Sequence, residues 1–158
     1  MGRIEDRLDE LGLRLPQPFC APEGVEFRFE LVRVHDGVGY VSGHGPIDGF
    51  RPLVQGKVGA EVSPERAYEA ARETCLSVLA SLKAELGELD RVTGWLKLLG
   101  LVNCAPGFSG TPGVINGFSD LVLELWGPER GRHARSAIGA SELPFDIPVE
   151  VEAVVAVS

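Results

Sequence analysis

The sequence predicts an α+β fold: a mixed sheet of roughly six strands with two main helices packed on one face. Three observations carry this reading. Residues 63–87 and 111–127 repeat apolar side chains at helical spacing, each opening on a hydroxyl residue followed by proline and closing on glycine. Around them run shorter segments rich in valine, leucine and aromatic residues, bounded by glycine and proline. Neither an internal repeat nor a linker interrupts the 158 residues, so they read as a single domain, 1–158.

Residues 1–24 read as an N-terminal extension, in which Ile4, Leu8, Leu11 and a stopping Gly12 predict a short helix over 3–11. Residues 25–34 predict a strand with Val25, Phe27, Phe29 and Leu31 on one face. Asp36-Gly37 is a hairpin turn signal, with VGYVSG as the returning strand. A Gly/Pro-rich loop, GHGPIDGF, leads to LVQGKVG, a possible short strand. Ser63 then caps the clearest helix, whose stripe is Ala67, Ala71, Cys75, Val78, Leu82 and Leu86. RVTGWLKLLGLVN reads as a long strand. Thr111 and Pro112 open the second helix, with Val114, Phe118, Leu121, Leu125 and Trp126 on one side and Gly127 as its end. Ala134–Ala140 and Val149–Val157 are expected to pair around a Leu143-Pro144 turn.

Hydrophobic residues make up 44% and charged residues 24%, the balance of a globular protein. No apolar run reaches the roughly 18 residues of a membrane helix. The first residues lack the apolar stretch of an export signal, so a cytoplasmic location is expected. Three separated cysteines without a C-x-x-C pair oppose both a disulfide framework and a zinc site. His35, His44 and His133 have no metal-ligand spacing, so no metal is expected. The formal charge of -8 repels phosphate backbones, so nucleic acid is not the expected partner. A local cluster of Arg130, Arg132, His133 and Arg135 reads most simply as separately solvated charges.

The last two strands hold the residues best suited to chemistry. In VEVEAVV, Val149, Val151, Ala153 and Val155 face one way, while Glu150 and Glu152 face the other. Arg135 precedes Glu150 by 15 positions, on what is expected to be the partner strand. A guanidinium grips a carboxylate through two parallel hydrogen bonds, and a nearby glutamate can hold a water. The plainer reading is a cross-strand ion pair worth under about 1 kcal/mol. Gly43 and Gly45 let the backbone approach a ligand, and His44 between them is a candidate proton carrier or a solvated loop residue.

SGHGPI after a strand, the SPERA helix, GRHARSAIGASELP and VEVEA, in that order, resemble the Rid family of YjgF-like proteins, also known as L-PSP endoribonucleases, over about residues 25–158. The resemblance implies a chorismate-mutase-like fold and a homotrimer with clefts between subunits. It also implies hydrolysis of reactive 2-imino and 2-enamino acids to 2-oxo acids and ammonia, with no cofactor. The family's carboxylate-binding arginine falls on Arg135 and its water-positioning glutamate on Glu150. Its loop glycine falls on Gly43, beside His44, and an asparagine of the second-helix region on Asn116. Backbone groups near Gly43 or Gly139 would help to place the water. Two positions depart from the deaminase pattern: Phe29 stands for a tyrosine and Ala137 for a cysteine, both in the expected substrate pocket. The extension and the stretch from 103 to 131 mark a longer-chain branch.

Three functions follow. The first is the deaminase, acting on a small carboxylate-bearing metabolite anchored by Arg135. The second is a non-catalytic trimer that binds small carboxylate metabolites. The third, an endoribonuclease, needs RNA to approach an acidic protein and lacks a visible histidine acid–base pair. The face left bare by two helices is expected to include Trp95, Leu99, Leu101, Val154 and Ala156, and to be buried by association. The competing arrangement folds the leading helix back over that face in a monomer.

Overall fold

The Ser63 hydroxyl accepts from the Arg66 N–H at 3.1 Å and starts the longest helix, α2 (Pro64–Leu86). Every residue of its expected stripe is buried. The computed structural model describes residues 2–158. A short helix, α1 (Arg3–Glu10), leads the chain. Then come β1 (Val32–His35) and β2 (Val38–His44), joined by a turn in which Asp36 and Gly37 both take positive φ, 48° and 75°. A two-residue pair, β3 (Ile47–Asp48) and β4 (Arg51–Pro52), precedes α2. β5 (Val92–Asn103), α3 (Thr111–Gly131), β6 (Ala134–Ala140) and β7 (Val149–Val157) complete the chain. Gly127, at φ 74° and ψ 174°, breaks α3 where the sequence ends the helix.

The main sheet has five strands in the order β1-β2-β7-β5-β6, not six, with β3-β4 as a separate small sheet. Residues 53–59 form no strand, and residues 25–31 run irregularly beside β2. Their aromatics meet one another instead of a sheet: Phe27 stacks on Phe29 at 5.0 Å and leans on Phe19 at 5.2 Å. The larger correction concerns the last two strands. β6 does not pair with β7; it lies parallel to β5, and β7 is inserted antiparallel between β5 and β2. The connection through α3 explains this, because a helical crossover returns the chain parallel to the strand it left. That places β6 at the sheet edge and leaves the other side of β5 for β7.

Both main helices pack on one face. Ile115 fills the space over Gly100, where a Cβ would approach it to 2.6 Å. Irregular register between Val92 and Gly94, and again between Trp95 and Lys97, shifts the alternation along β5. Trp95 therefore faces the helices, edge-on to Phe118 at 5.8 Å and Trp126 at 5.3 Å, and not the open side as its spacing implied. Leu99, Leu101, Val154 and Ala156 lie half-buried on the open side.

The leading helix stays with the helical layer. Ile4 and Leu8 join the core. The Ile4 N–H donates to Asp90 Oδ2 at 3.1 Å, and the Leu89 N–H donates to Glu5 Oε1 at 3.0 Å. Glu5 also lies 3.3 Å from Lys83 Nζ. The arrangement in which this helix covers the open face is thereby set aside. Among the described residues no helix is long and apolar enough to cross a membrane.

Candidate functional site

Two clusters form from the residues singled out in the sequence. The first is built on β6 and α3. Arg135 pairs in register with Leu98, Ala137 with Gly100 and Gly139 with Val102, the positions of β5 that face the helices. The guanidinium lies along α3: Nη1 donates to Asn116 Oδ1 at 2.8 Å and to Ser119 Oγ at 3.1 Å, and Nη2 donates to the Pro112 carbonyl at 3.4 Å. Asn116 and Ser119 stand three apart, so one side of the helix presents both acceptors. The Thr111 hydroxyl donates to the Ala137 carbonyl at 3.0 Å and ties the start of α3 to the same strand. Among the described residues no carboxylate lies within ion-pair distance of Arg135.

The second cluster sits on the open side, around Glu150. A Cβ added at Gly43 would stand 2.9 Å from Glu150 Cδ, so glycine is needed there for the carboxyl group to lie against the backbone. Burial pushes the Glu150 carboxyl above its ordinary range, and Glu152 on the same face pushes it further. Phe29 is 53% exposed and adjoins this region, since its neighbour Glu30 accepts from the Ser42 hydroxyl at 2.7 Å. A depression of about 420 Å³ opens on this side, between Tyr40, Lys97, Leu99, Ser136 and Glu152. Neither Arg135 nor Glu150 lines it.

The two clusters do not meet within one chain. Glu150 pairs with Leu101 and Arg135 with Leu98, so they flank β5 on different sides and face opposite faces of the sheet. The expected cross-strand pair is overturned for the reason given by the strand order. His44 also leaves the candidate set. It closes β2 inside the core, 1% exposed, with Nδ1 donating to the Ser42 carbonyl at 2.6 Å and Nε2 accepting from Ser81 at 2.8 Å.

Two functional candidates were not singled out for a role in the sequence. Ser119 and His133 adjoin Arg135, with Ser119 Oγ 2.9 Å from His133 Nε2. The signal was available: His133 and Arg135 are two apart where the chain enters β6, a spacing that in extended backbone puts both on one face. The Lys57–Asn103 pair, 2.7 Å apart, also escaped notice. Asn103 Nδ2 donates to Asp146 Oδ1 at 3.1 Å and to the Ile147 carbonyl at 3.2 Å, which fixes the connection leading into Glu150.

This architecture has known counterparts. The family described as "YjgF/chorismate_mutase-like, putative endoribonuclease" matches residues 5–152. The chain belongs to the YjgF family. It is 38% identical over 155 residues to Protein TCP17 of Trypanosoma cruzi, covering 98% of this chain and 94% of that one. A crystal structure of the protein Atu1372 from Agrobacterium tumefaciens, of unknown function, matches with TM-score 0.88 and 36% identity, covering 98% and 92% of the two chains. A "putative endoribonuclease" from Shewanella oneidensis matches with TM-score 0.89 and 30% identity over 99% and 100%. The chorismate-mutase-like fold of this YjgF chain follows from these matches and from the sheet itself.

Proposed function

We propose that this chain hydrolyses reactive 2-imino and 2-enamino acids to 2-oxo acids and ammonia, in clefts between three copies. One observation carries the reading: the Arg135 guanidinium is oriented by three neutral acceptors and has no carboxylate of its own among the described residues. A cation held in that way is ready for the carboxylate of a substrate.

Glu150 acts from a neighbouring copy. β6 is an edge strand, and the open face carries exposed Tyr40 and Ile138 beside half-buried Leu99 and Val154. Docking the β6 edge of one copy against the open face of the next, in a closed ring, covers both and brings the two clusters together. Glu150, with its raised proton affinity, takes a proton from water as the oxygen adds to the C=N carbon. Glu150 returns that proton to nitrogen to give the carbinolamine, then carries the hydroxyl proton to the same nitrogen, and ammonia leaves as the C–N bond breaks and the carbonyl forms. Endoribonuclease chemistry finds less support in a chain of net charge -8.

The test is ammonia release from freshly generated 2-iminobutanoate, with Arg135→Lys beside the wild type. The expected result is release well above the buffer rate, falling at least about tenfold in the variant, because lysine cannot form the paired contact. Binding of 2-oxobutanoate without ammonia release would mark a carboxylate-binding protein instead. Loss of neither property in Arg135→Lys would overturn the anchor.

A further inference from the structure

We infer that Ser119 and His133 are positioning residues that fix the rotamer of Arg135 through a directed chain of hydrogen bonds, an inference that rests on the proposed role of Arg135 as carboxylate anchor. The direction of each bond follows from chemistry. His133 Nδ1 lies 2.7 Å from the Gly131 carbonyl oxygen, which can only accept, so Nδ1 carries the hydrogen. In the neutral ring Nε2 is then an acceptor, and Ser119 must donate to it across 2.9 Å. With its hydrogen so committed, Ser119 Oγ turns a lone pair to Arg135 Nη1 at 3.1 Å. Burial lowers the proton affinity of His133, the Gly131 carbonyl opposes that, and the nearby Arg135 charge lowers it again.

The chain path makes the relay possible. Gly127 takes a backbone conformation that other residues rarely adopt, and the following turn folds back on α3. Gly131 then packs so close that a Cβ would lie 3.2 Å from the Val122 carbonyl and 3.3 Å from Leu123 Cα. This return delivers His133 over Ser119, two residues before Arg135. With both Nη1 hydrogens committed to Asn116 and Ser119, Arg135 Nε has no partner among the described residues. Nε and Nη2 form the side edge of the guanidinium, and with one Nη2 hydrogen given to the Pro112 carbonyl the relay leaves Nε–H and the other Nη2 hydrogen for a carboxylate that binds by two bonds.

The experiment follows the guanidinium itself by nitrogen-15 NMR, with the Arg135 signals assigned by their loss in Arg135→Lys. In the wild type the Nη1 and Nη2 resonances should be separate, because rotation about the guanidinium bonds is hindered. Ser119→Ala and His133→Leu should each merge them, while His133→Gln, whose amide oxygen can accept the Ser119 proton, should keep them apart. Separate resonances in either Ser119→Ala or His133→Leu, with the fold intact by circular dichroism, would overturn the relay. The second arm is calorimetric titration with 2-oxobutanoate. The two disrupting variants should weaken binding about tenfold, as expected for one lost hydrogen bond to a charged group, with His133→Gln near wild type. If wild-type protein does not bind 2-oxobutanoate, the anchor reading fails, while the resonances still decide the relay.

Discussion

Arg135 and Glu150 stand on opposite faces of one sheet, with β5 between their strands. Their neighbours on β5, Leu98 and Leu101, are three residues apart in an uninterrupted stretch, so no rotamer change brings the side chains together across it. A site that uses both must therefore take them from different chains.

That geometry predicts complementation. Arg135→Ala and Glu150→Gln homo-oligomers should each be inactive toward 2-iminobutanoate. When they are unfolded together and reassembled, roughly a quarter of the clefts in a random cyclic oligomer regain both wild-type groups. Ammonia release should return to about that fraction. A mixture no more active than its parents would place both groups in one chain's site. Light scattering on the wild type supplies the companion measurement: assembly requires a mass near three times the 16.9 kDa of one chain.

Gly43→Ala should separate positioning from folding. The added methyl would stand 2.9 Å from Glu150 Cδ, and the carboxyl end of that side chain can swing away. Stability should change by less than about 1 kcal/mol while turnover falls by about tenfold or more. An active variant with unchanged stability would remove Gly43 from the site, and an unfolded one would make its role structural.

Much of this was legible beforehand. The caps and stripes of α2 and α3 depend on residues within a few positions of each other, and both helices formed where the sequence placed them. The order of β5, β6 and β7 was not legible in the same way. It depends on which edge of β5 is taken by the crossover through α3, a choice that no local pattern in ARSAIGA or VEVEAVVAV records. Trp95 was misread because register shifts along β5 reverse an alternation counted in twos. His44 was misread because its hydrogen-bond partner in the core, Ser81 of α2, lies 37 residues away.

Glu5 should be a stability residue with its own pH signature. Burial raises its proton affinity, but hydrogen bonds from the Leu89 and Glu5 N–H groups and the Lys83 charge outweigh that, so its carboxyl is held below the ordinary range. Its contribution is complete above the ordinary carboxylate range and is lost as pH falls through the lowered folded value. Glu5→Ala should cost about 1–3 kcal/mol near neutral pH by leaving the Leu89 N–H without its acceptor. Denaturant unfolding checks this. A penalty that persists undiminished at strongly acidic pH would show that the charge is not its source.

Glu150 should show the opposite sign. Its folded-state proton affinity is raised by burial and then by Glu152, so ionisation penalises the folded chain. The stability associated with its proton is fully present below the ordinary carboxylate range and is lost as pH rises through the raised folded value. Glu150→Gln should therefore raise the melting temperature at neutral pH while it abolishes ammonia release. The gain should shrink as the pH is lowered toward the ordinary carboxylate range, where the wild type already carries the proton. Glu152→Gln should give a smaller gain, because it relieves only the lesser of the two causes. Melting curves of the three proteins across that range decide the matter. A Glu150→Gln chain less stable than wild type at neutral pH would mean that the carboxylate is held by favourable contacts in the assembled protein, and that its proton affinity is not raised there.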